Sequence, residues 1–363
     1  MKKIIFFFFI IILNVFQTRE QNPLSDIEKR VLGKKNHEKK NLIIAVITKY
    51  HWDLIAIFFN SIKSANIKNC DVVTFVANMT EKTIDNIKST GVIVLPMPKK
   101  YLTESIINSR WKIIMDYLDE NPNRYRYIFT CDTRDVFFQD DPFKYYDLKK
   151  PYLGIAMEDG TLNDRINKDW LINAYGVEKY NKIKDERIFC VGTVWGTVDK
   201  FYEFAKLMWD NLSSEWSKSR HVIEQAVGNY IIYYDKKFSD CLVKSFNDDG
   251  YVLTIGMTTN DKLLLNLDFD IFNGQGKKGA VIHQFDRRKE LVTRAYMKYY
   301  PEYLDNTIYF IIGTLILFIF FVVFLVNNYK NIAQKKYINF EREQFKLIKT
   351  KDDDETNNQK LNL

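Results

Sequence analysis

From residue 42 onward, the chain alternates short apolar runs with segments whose apolar residues recur every three or four positions. Residues 42–48 (LIIAVIT) are apolar without alternation, the pattern of a strand covered on both faces. Residues 52–64 follow with helical spacing at Leu54, Ile57, Phe58 and Ile62. The spacing then predicts a strand at 72–76, a helix at 81–89, a strand at 92–95, a long amphipathic helix at 102–119 closed by Asn121-Pro122, and a strand at 127–130. Such a series predicts an α/β fold, a mostly parallel sheet with helices on both faces. Sheets of this kind bind ligands at the carboxyl ends of their strands, here just after 48 and just after 130. No GxGxxG follows the first strand and no GxxxxGK[ST] occurs, which argues against a dinucleotide enzyme and excludes a P-loop nucleotidase.

Two apolar segments stand outside this pattern. Lys2 and Lys3 precede an unbroken apolar run at 4–13, a basic region followed by a core of signal-peptide length. At about 1.5 Å per residue it falls short of the ~30 Å hydrocarbon layer. Residues 14–20 lack a small-x-small cleavage site, so residues 1–17 read as a signal peptide or a retained signal anchor. Residues 307–326 are twenty positions without a charge, long enough to span a bilayer. Lys330, Lys335 and Lys336 follow, as expected of a cytosolic flank, although Arg287, Arg288 and Arg294 make the other side basic too. The expected organisation is therefore signal 1–17, stem 18–40, a lumenal globular domain 41–300, a transmembrane helix 307–326 and a polar, disordered cytosolic tail 327–363 with an acidic block at 352–355. In a secretory-pathway lumen, Asn78-Met79-Thr80 and Asn211-Leu212-Ser213 become glycosylation acceptors.

Composition narrows the classes. Hydrophobic residues at 46% and aromatics at 15% exclude global disorder. The net charge of +7 comes from scattered residues, so no nucleic-acid partner is expected. The four cysteines form no CxxC pair and no zinc spacing; they are expected to be structural or to form one or two disulfides in an oxidising lumen.

The chemistry concentrates after the strand at 127–130, where the sequence reads Cys131-Asp132-Thr133-Arg134-Asp135-Val136-Phe137-Phe138-Gln139-Asp140-Asp141-Pro142-Phe143. Two carboxylates, Asp132 and Asp135, leave the end of a buried strand, and Mg²⁺ or Mn²⁺ would suit them as a partner. Capping of the next element, or pairing with Arg134, would also account for them. A haloacid-dehalogenase phosphatase needs a carboxylate at position 134, which is Arg.

The segment DTRDVFFQDDPF resembles the acidic motif of GT-A-type glycosyltransferases, and more narrowly that of a family of nucleotide-diphospho-sugar transferases reading DxRDVxFQxDPF. Three further segments are similar in the same order. They are Ile188-Phe189-Cys190-Val191-Gly192-Thr193-Val194-Trp195-Gly196, then Glu224-Gln225 with Asn229 (Glu standing where the family has Asp), then Ala280-Val281-Ile282-His283-Gln284-Phe285-Asp286-Arg287. Together they span residues 41–300. The resemblance implies a GT-A-like (Rossmann-like) fold, with Asp135 as a metal ligand, Asp132 on the metal or the nucleotide, and His283 completing the shell. The extra residue between the two aspartates departs from DxD and makes the part of Asp132 less direct.

Other residues join as candidates. The loop 273–279 before His283 carries Lys277 and Lys278 among glycines that let backbone N–H groups approach a phosphate, or it is a plain hairpin. Arg110 either reaches the nucleotide or lies on a solvated helix face. Glu158, Asp159 and Glu224 are candidates for a catalytic base, with 158–160 equally readable as an ordinary turn. The expected activity is transfer of a sugar from a nucleotide-diphosphate donor to a glycan, protein or lipid acceptor with Mn²⁺ or Mg²⁺. The alternative is a sugar-binding receptor or pseudoenzyme that kept the fold and lost turnover.

Overall fold

The computed structural model describes residues 39–102, 105–145, 150–214, 218, 223–248, 250–303, 310–332, 334, 336 and 339. The expected signal, nearly all of the stem and most of the tail lie outside these residues.

Strand β1 (Lys40–Thr48) shows why its apolar run does not alternate. Leu42 and Ile44 bury against one core, while Ile43, Ala45 and Ile47 bury against another on the opposite face. Helix α1 (Trp52–Ala65) covers the second face with Ile55, Phe58 and Phe59. It ends at Asn66 in the left-handed region, which Asn tolerates. The chain continues through β2 (Cys70–Ala77), α2 (Glu81–Ser89) and β3 (Ile93–Pro96). The Thr80 hydroxyl caps α2 by accepting from the Thr83 N–H. Helix α3 (Ile106–Glu120) then packs Trp111 and Ile114 into the first core, beside Phe201 and Phe204 of α6 (Val198–Leu212). It starts at Ile106, later than the pattern predicts, directly after Ser105 in an extended conformation.

After β4 (Tyr125–Cys131) and the short β5 (Val136–Phe138) come β6 (Leu153–Thr161), α4 (Arg165–Tyr175), α5 (Val177–Asn181) and β7 (Arg187–Thr197). Helix α7 (Glu224–Tyr230), β8 (Leu242–Ser245), β9 (Val252–Thr254), β10 (Leu263–Leu265), β11 (Ile271–Asn273), β12 (Val281–His283) and α8 (Lys289–Tyr299) complete the domain.

The central seven-stranded sheet has the order β3-β2-β1-β4-β7-β6-β8. The pairs β1–β2, β2–β3 and β6–β8 are parallel, and β7 runs antiparallel to both β4 and β6. The chain leaves β6, passes through α4 and α5, and re-enters at the same end, as an antiparallel neighbour requires. A second sheet, β5-β12-β9, carries its own core with α8, including Phe137, Ile282, Phe285 and Leu291.

One local expectation is corrected and one decided. Residues 158–160 are not a turn: they lie within β6, whose pairing with β7 shifts register there. All four cysteines are free, with Cys131 and Cys190 buried in the interior, which is the structural alternative and not the disulfide one. Beyond the domain, helix α9 (Phe310–Ile332) is 23 residues long and exposed throughout. At about 1.5 Å per residue it extends roughly 35 Å, enough to cross a bilayer. It runs past Val326, so residues 327–332, assigned from sequence to a disordered tail, are helical.

Candidate active site

The two sheets meet at the acidic turn. Strand β4 of the large sheet ends at Cys131 and β5 of the small sheet begins at Val136, so residues 132–135 bridge them. His283 arrives from β12, paired antiparallel to β5 with His283 opposite Val136. This connection places Asp132, Asp135 and His283 together, with one ligand atom of each within 4.8 Å of the others. The His283 Nε2 lies 3.7 Å from Asp132 Oδ2 and 3.8 Å from Asp135 Oδ2.

Strand β7 forms the floor. Gly192 accepts a hydrogen bond from the Asp132 N–H through its carbonyl (2.8 Å). A Cβ on Gly192 would stand 2.4 Å from His283 Cε1 and 2.7 Å from Asp132 Oδ2, so only glycine leaves the three side chains their room. Cys190 Sγ lies 3.6 Å from His283 Nδ1, and the Gln284 side-chain amide donates to Glu158 (3.1 Å) and lies 3.5 Å from Cys190 Sγ. Gln284 itself sits at φ 61°, and its N–H donates to the Asp135 carbonyl (2.8 Å).

Arg110 is not on a solvated helix face. It is buried, and its guanidinium donates to Asp132 Oδ1 (2.7 Å), Glu224 Oε1 (2.7 Å) and the Val191 carbonyl (3.1 Å). Trp111 donates its indole N–H to the other oxygen of Glu224 (3.0 Å). Asp132, its side chain 42% exposed, opens onto a cleft of about 220 Å³. Val46, Thr48, Tyr50, Ile106, Ile107 and Glu224 also line it, together with the acidic turn. The cleft therefore sits at the carboxyl ends of β1 and β4, where the sequence pattern places it.

Charge in this cluster is unevenly held. Burial pushes the Asp132 carboxyl up, but Arg110 and then His283 prevail and hold it below its ordinary range. Burial raises the Asp135 carboxyl, and the charges of Asp132 and Asp286 add to that against His283. Burial lowers His283, yet Asp135 and Asp132 outweigh it and raise the imidazole. Burial pushes Glu224 up to about 7 against the pull of Arg110. Two carboxylates face one imidazole, with Arg110 on the far side of Asp132 and Arg134, which pairs with Asp286 (3.1 Å), also lining the cleft. The donor set of two carboxylate oxygens and one imidazole nitrogen could hold a divalent metal ion, and the absence of a side chain at Gly192 leaves His283 and Asp132 their room.

The remaining candidates lie elsewhere. Asp159 pairs with Arg187 (2.9 Å) and Glu158 sits buried behind His283 under Gln284. Lys278 pairs with Asp270 (2.8 Å), and neither it nor Lys277 lines the cleft. Asp140 accepts from Lys144 (2.8 Å) and Tyr145 (3.1 Å), because the turn of Pro142–Lys144 folds those side chains back onto it. Sequence reasoning passed over Tyr50, Ile106, Ile107 and Trp111 as site residues. Position at a strand's carboxyl end was the available signal for Tyr50, and adjacency to Arg110 was the signal for Trp111.

No family model matches this chain, and no curated protein matches it. Among solved structures, the fold is similar to the crystal structure of an active-site mutant of LgtC, a GT-A glycosyltransferase, at 13% identity and a TM-score of 0.44, covering 70% of this chain and 95% of that one. Overlap at that level supports no statement about chemistry, which rests on the residues themselves.

Proposed function

We propose that the protein is a metal-dependent glycosyltransferase that moves a sugar from a nucleoside-diphosphate donor to a glycan, protein or lipid acceptor. The observation that carries this reading is the Asp132–Asp135–His283 trio beside a cleft at the carboxyl ends of β1 and β4. The order of the four resembling segments along the chain supports it. In this reading Asp132, Asp135 and His283 hold Mn²⁺ or Mg²⁺, which neutralises negative charge on a departing diphosphate.

The chain's own groups do the rest. Arg110 fixes Asp132 on one side, Gly192 leaves the pocket open, and Cys190 and Gln284 stand beside the His283 ring. Of the three carboxylates proposed as base, Glu224 lines the cleft with both oxygens accepting bonds from Arg110 and Trp111. Glu158 and Asp159 do not line the cleft; they bond to Gln284 and Arg187 instead. In the same reading the domain is lumenal, with α9 as its membrane anchor, and Lys277 and Lys278 lie outside the donor cleft.

The test is turnover of a panel of nucleotide sugars by the full chain with Mn²⁺. Activity should vanish in excess EDTA. Asp135→Ala should lose about 10²–10³ in rate, the scale of one deleted electrostatic contact in a transition state. Asp85→Ala, on an exposed helix face, should behave as wild type and is a better control than Asp140. Full turnover in EDTA, or an Asp135→Ala variant as active as wild type, would overturn the assignment.

A further inference from the structure

The strongest unused feature lies where the β10–β11 hairpin meets α8. Leu267 at the hairpin tip is 96% exposed, Leu264 is 49% exposed, Leu265 41%, and Met297 on α8 49%. Solvated globular surfaces rarely gather large aliphatic side chains this way without a partner.

The hairpin turn is fixed to α8. The Arg294 guanidinium sits 5.3 Å from the Phe269 ring, and Lys298 pairs with Asp270 at 2.5 Å. Asp270 also holds Lys278, so the turn is clamped from both sides. Three turns of α8 thus hold a protruding leucine loop in one place. On the helix, Met297 lies between Arg294 and Lys298, which face the hairpin.

The chain itself says what covers this surface. Helix α8 leads to α9, the helix long enough to cross a bilayer. From Tyr303 to Phe310 is seven Cα steps, at most roughly 24 Å when fully extended. With α9 in the bilayer, on which this inference rests, the end of α8 is held near the membrane surface. Its last turn and the residues beyond carry a cluster of aromatic rings, Tyr296 stacked on Tyr303 at 4.6 Å and Tyr300 beside both. The Tyr296 and Tyr300 hydroxyls donate to the backbone carbonyl (2.9 Å) and side chain (3.0 Å) of Asp53 on α1, so this cluster ties the end of α8 to the domain just before the link to α9.

We propose that the β10–β11 hairpin and the outer face of α8 rest on the lipid bilayer, with Leu264, Leu265 and Leu267 dipping into the interface. The domain is then seated on the membrane at two places, through α9 and through this loop, and does not swing freely on the link between Tyr303 and Phe310. The ligand is the headgroup and upper acyl region of a phospholipid bilayer.

The test uses the full chain, with Cys70 and Cys241 changed to Ser, reconstituted in phosphatidylcholine vesicles. A nitroxide is placed on Leu267→Cys or Met297→Cys, and on Ile93→Cys at the exposed sheet edge as a control. Relaxation by oxygen, which partitions into lipid, is compared with relaxation by a water-soluble nickel chelate. At positions 267 and 297 the oxygen effect should exceed the nickel effect severalfold, and at position 93 the order should reverse. Because the labelled positions are exposed, the substitutions leave the core untouched. Nickel access at 267 and 297 equal to that at 93 would overturn the proposal. So would protection from both reagents with spin–spin broadening between labels, which would make the occupant a second copy of the chain.

Discussion

At the scale of single residues, two positions decide whether the candidate site exists. Gly192 is the first. A methyl group there would meet the buried His283 ring at 2.4 Å, and that ring has no room to retreat. Gly192→Ala should therefore weaken Mn²⁺ binding by about 10–100-fold, the scale seen when residues supporting metal ligands are changed. Titration calorimetry on the detergent-solubilised chain checks this, and unchanged affinity would show that the trio does not bind the ion. Arg110 is the second. It is the cation between Asp132 and Glu224, and removing it leaves two carboxylates facing each other with Trp111 as the only remaining donor to Glu224 among the described residues. Breaking a buried pair in this way costs about 3–5 kcal/mol. Arg110→Met should lower the denaturant midpoint accordingly. Arg110→Lys should recover only part of the loss, because one ammonium cannot reproduce the guanidinium's fork between two partners.

At the scale of elements, α7 acts as a substitute strand. Strand β4 pairs with β7 only from Thr193 to Thr197, which leaves the earlier part of β7 without β4 on that side. Asn229 fills the gap at Phe189, accepting from its N–H (2.9 Å) and donating to its carbonyl (2.9 Å). Gln225 does the same at Phe189 and Val191, donating to the one carbonyl (2.7 Å) and accepting from the other N–H (3.1 Å). The Gln225–Asn229 spacing puts both amides on one helical face toward the strand. Asn229→Leu should leave the buried Phe189 N–H unpaired, at about 1–3 kcal/mol, while the Phe189 carbonyl keeps its bond from Gln225. The Phe189 amide should then exchange with deuterium much faster than in wild type. Unchanged protection would mean that the strand finds other partners. Since β7 carries Gly192 and Cys190, loosening it should disturb the site as well.

At the scale of the whole molecule, α9 decides how the domain is placed relative to a membrane. Helix α9 is long and apolar enough to span, and Lys330 and Lys336 lie at its far end. The lumenal assignment predicts that protease added to sealed microsomes removes the chain beyond Lys330 and leaves residues 41–300 intact. Digestion of the domain under those conditions would reverse the orientation and remove the secretory setting of the proposed activity.

Much of this was legible in the chain. The unbroken apolar run of β1 could only be a strand buried on both sides, because alternate residues had to enter two different cores. The uncharged run behind α9 had the length of a bilayer, and Asp132 and Asp135 at the end of a strand marked where to look. Local patterning carries such information because backbone period and burial act over a few residues. It could not show that Arg110 joins Asp132 to Glu224, partners 22 and 114 positions away, or that Glu158 lies inside a strand. Nor could it show that the cysteines stay apart, or that His283 faces the acidic turn through the pairing of β12 with β5. Those outcomes depend on which strands become neighbours, and neighbours are chosen by the packing of the whole domain.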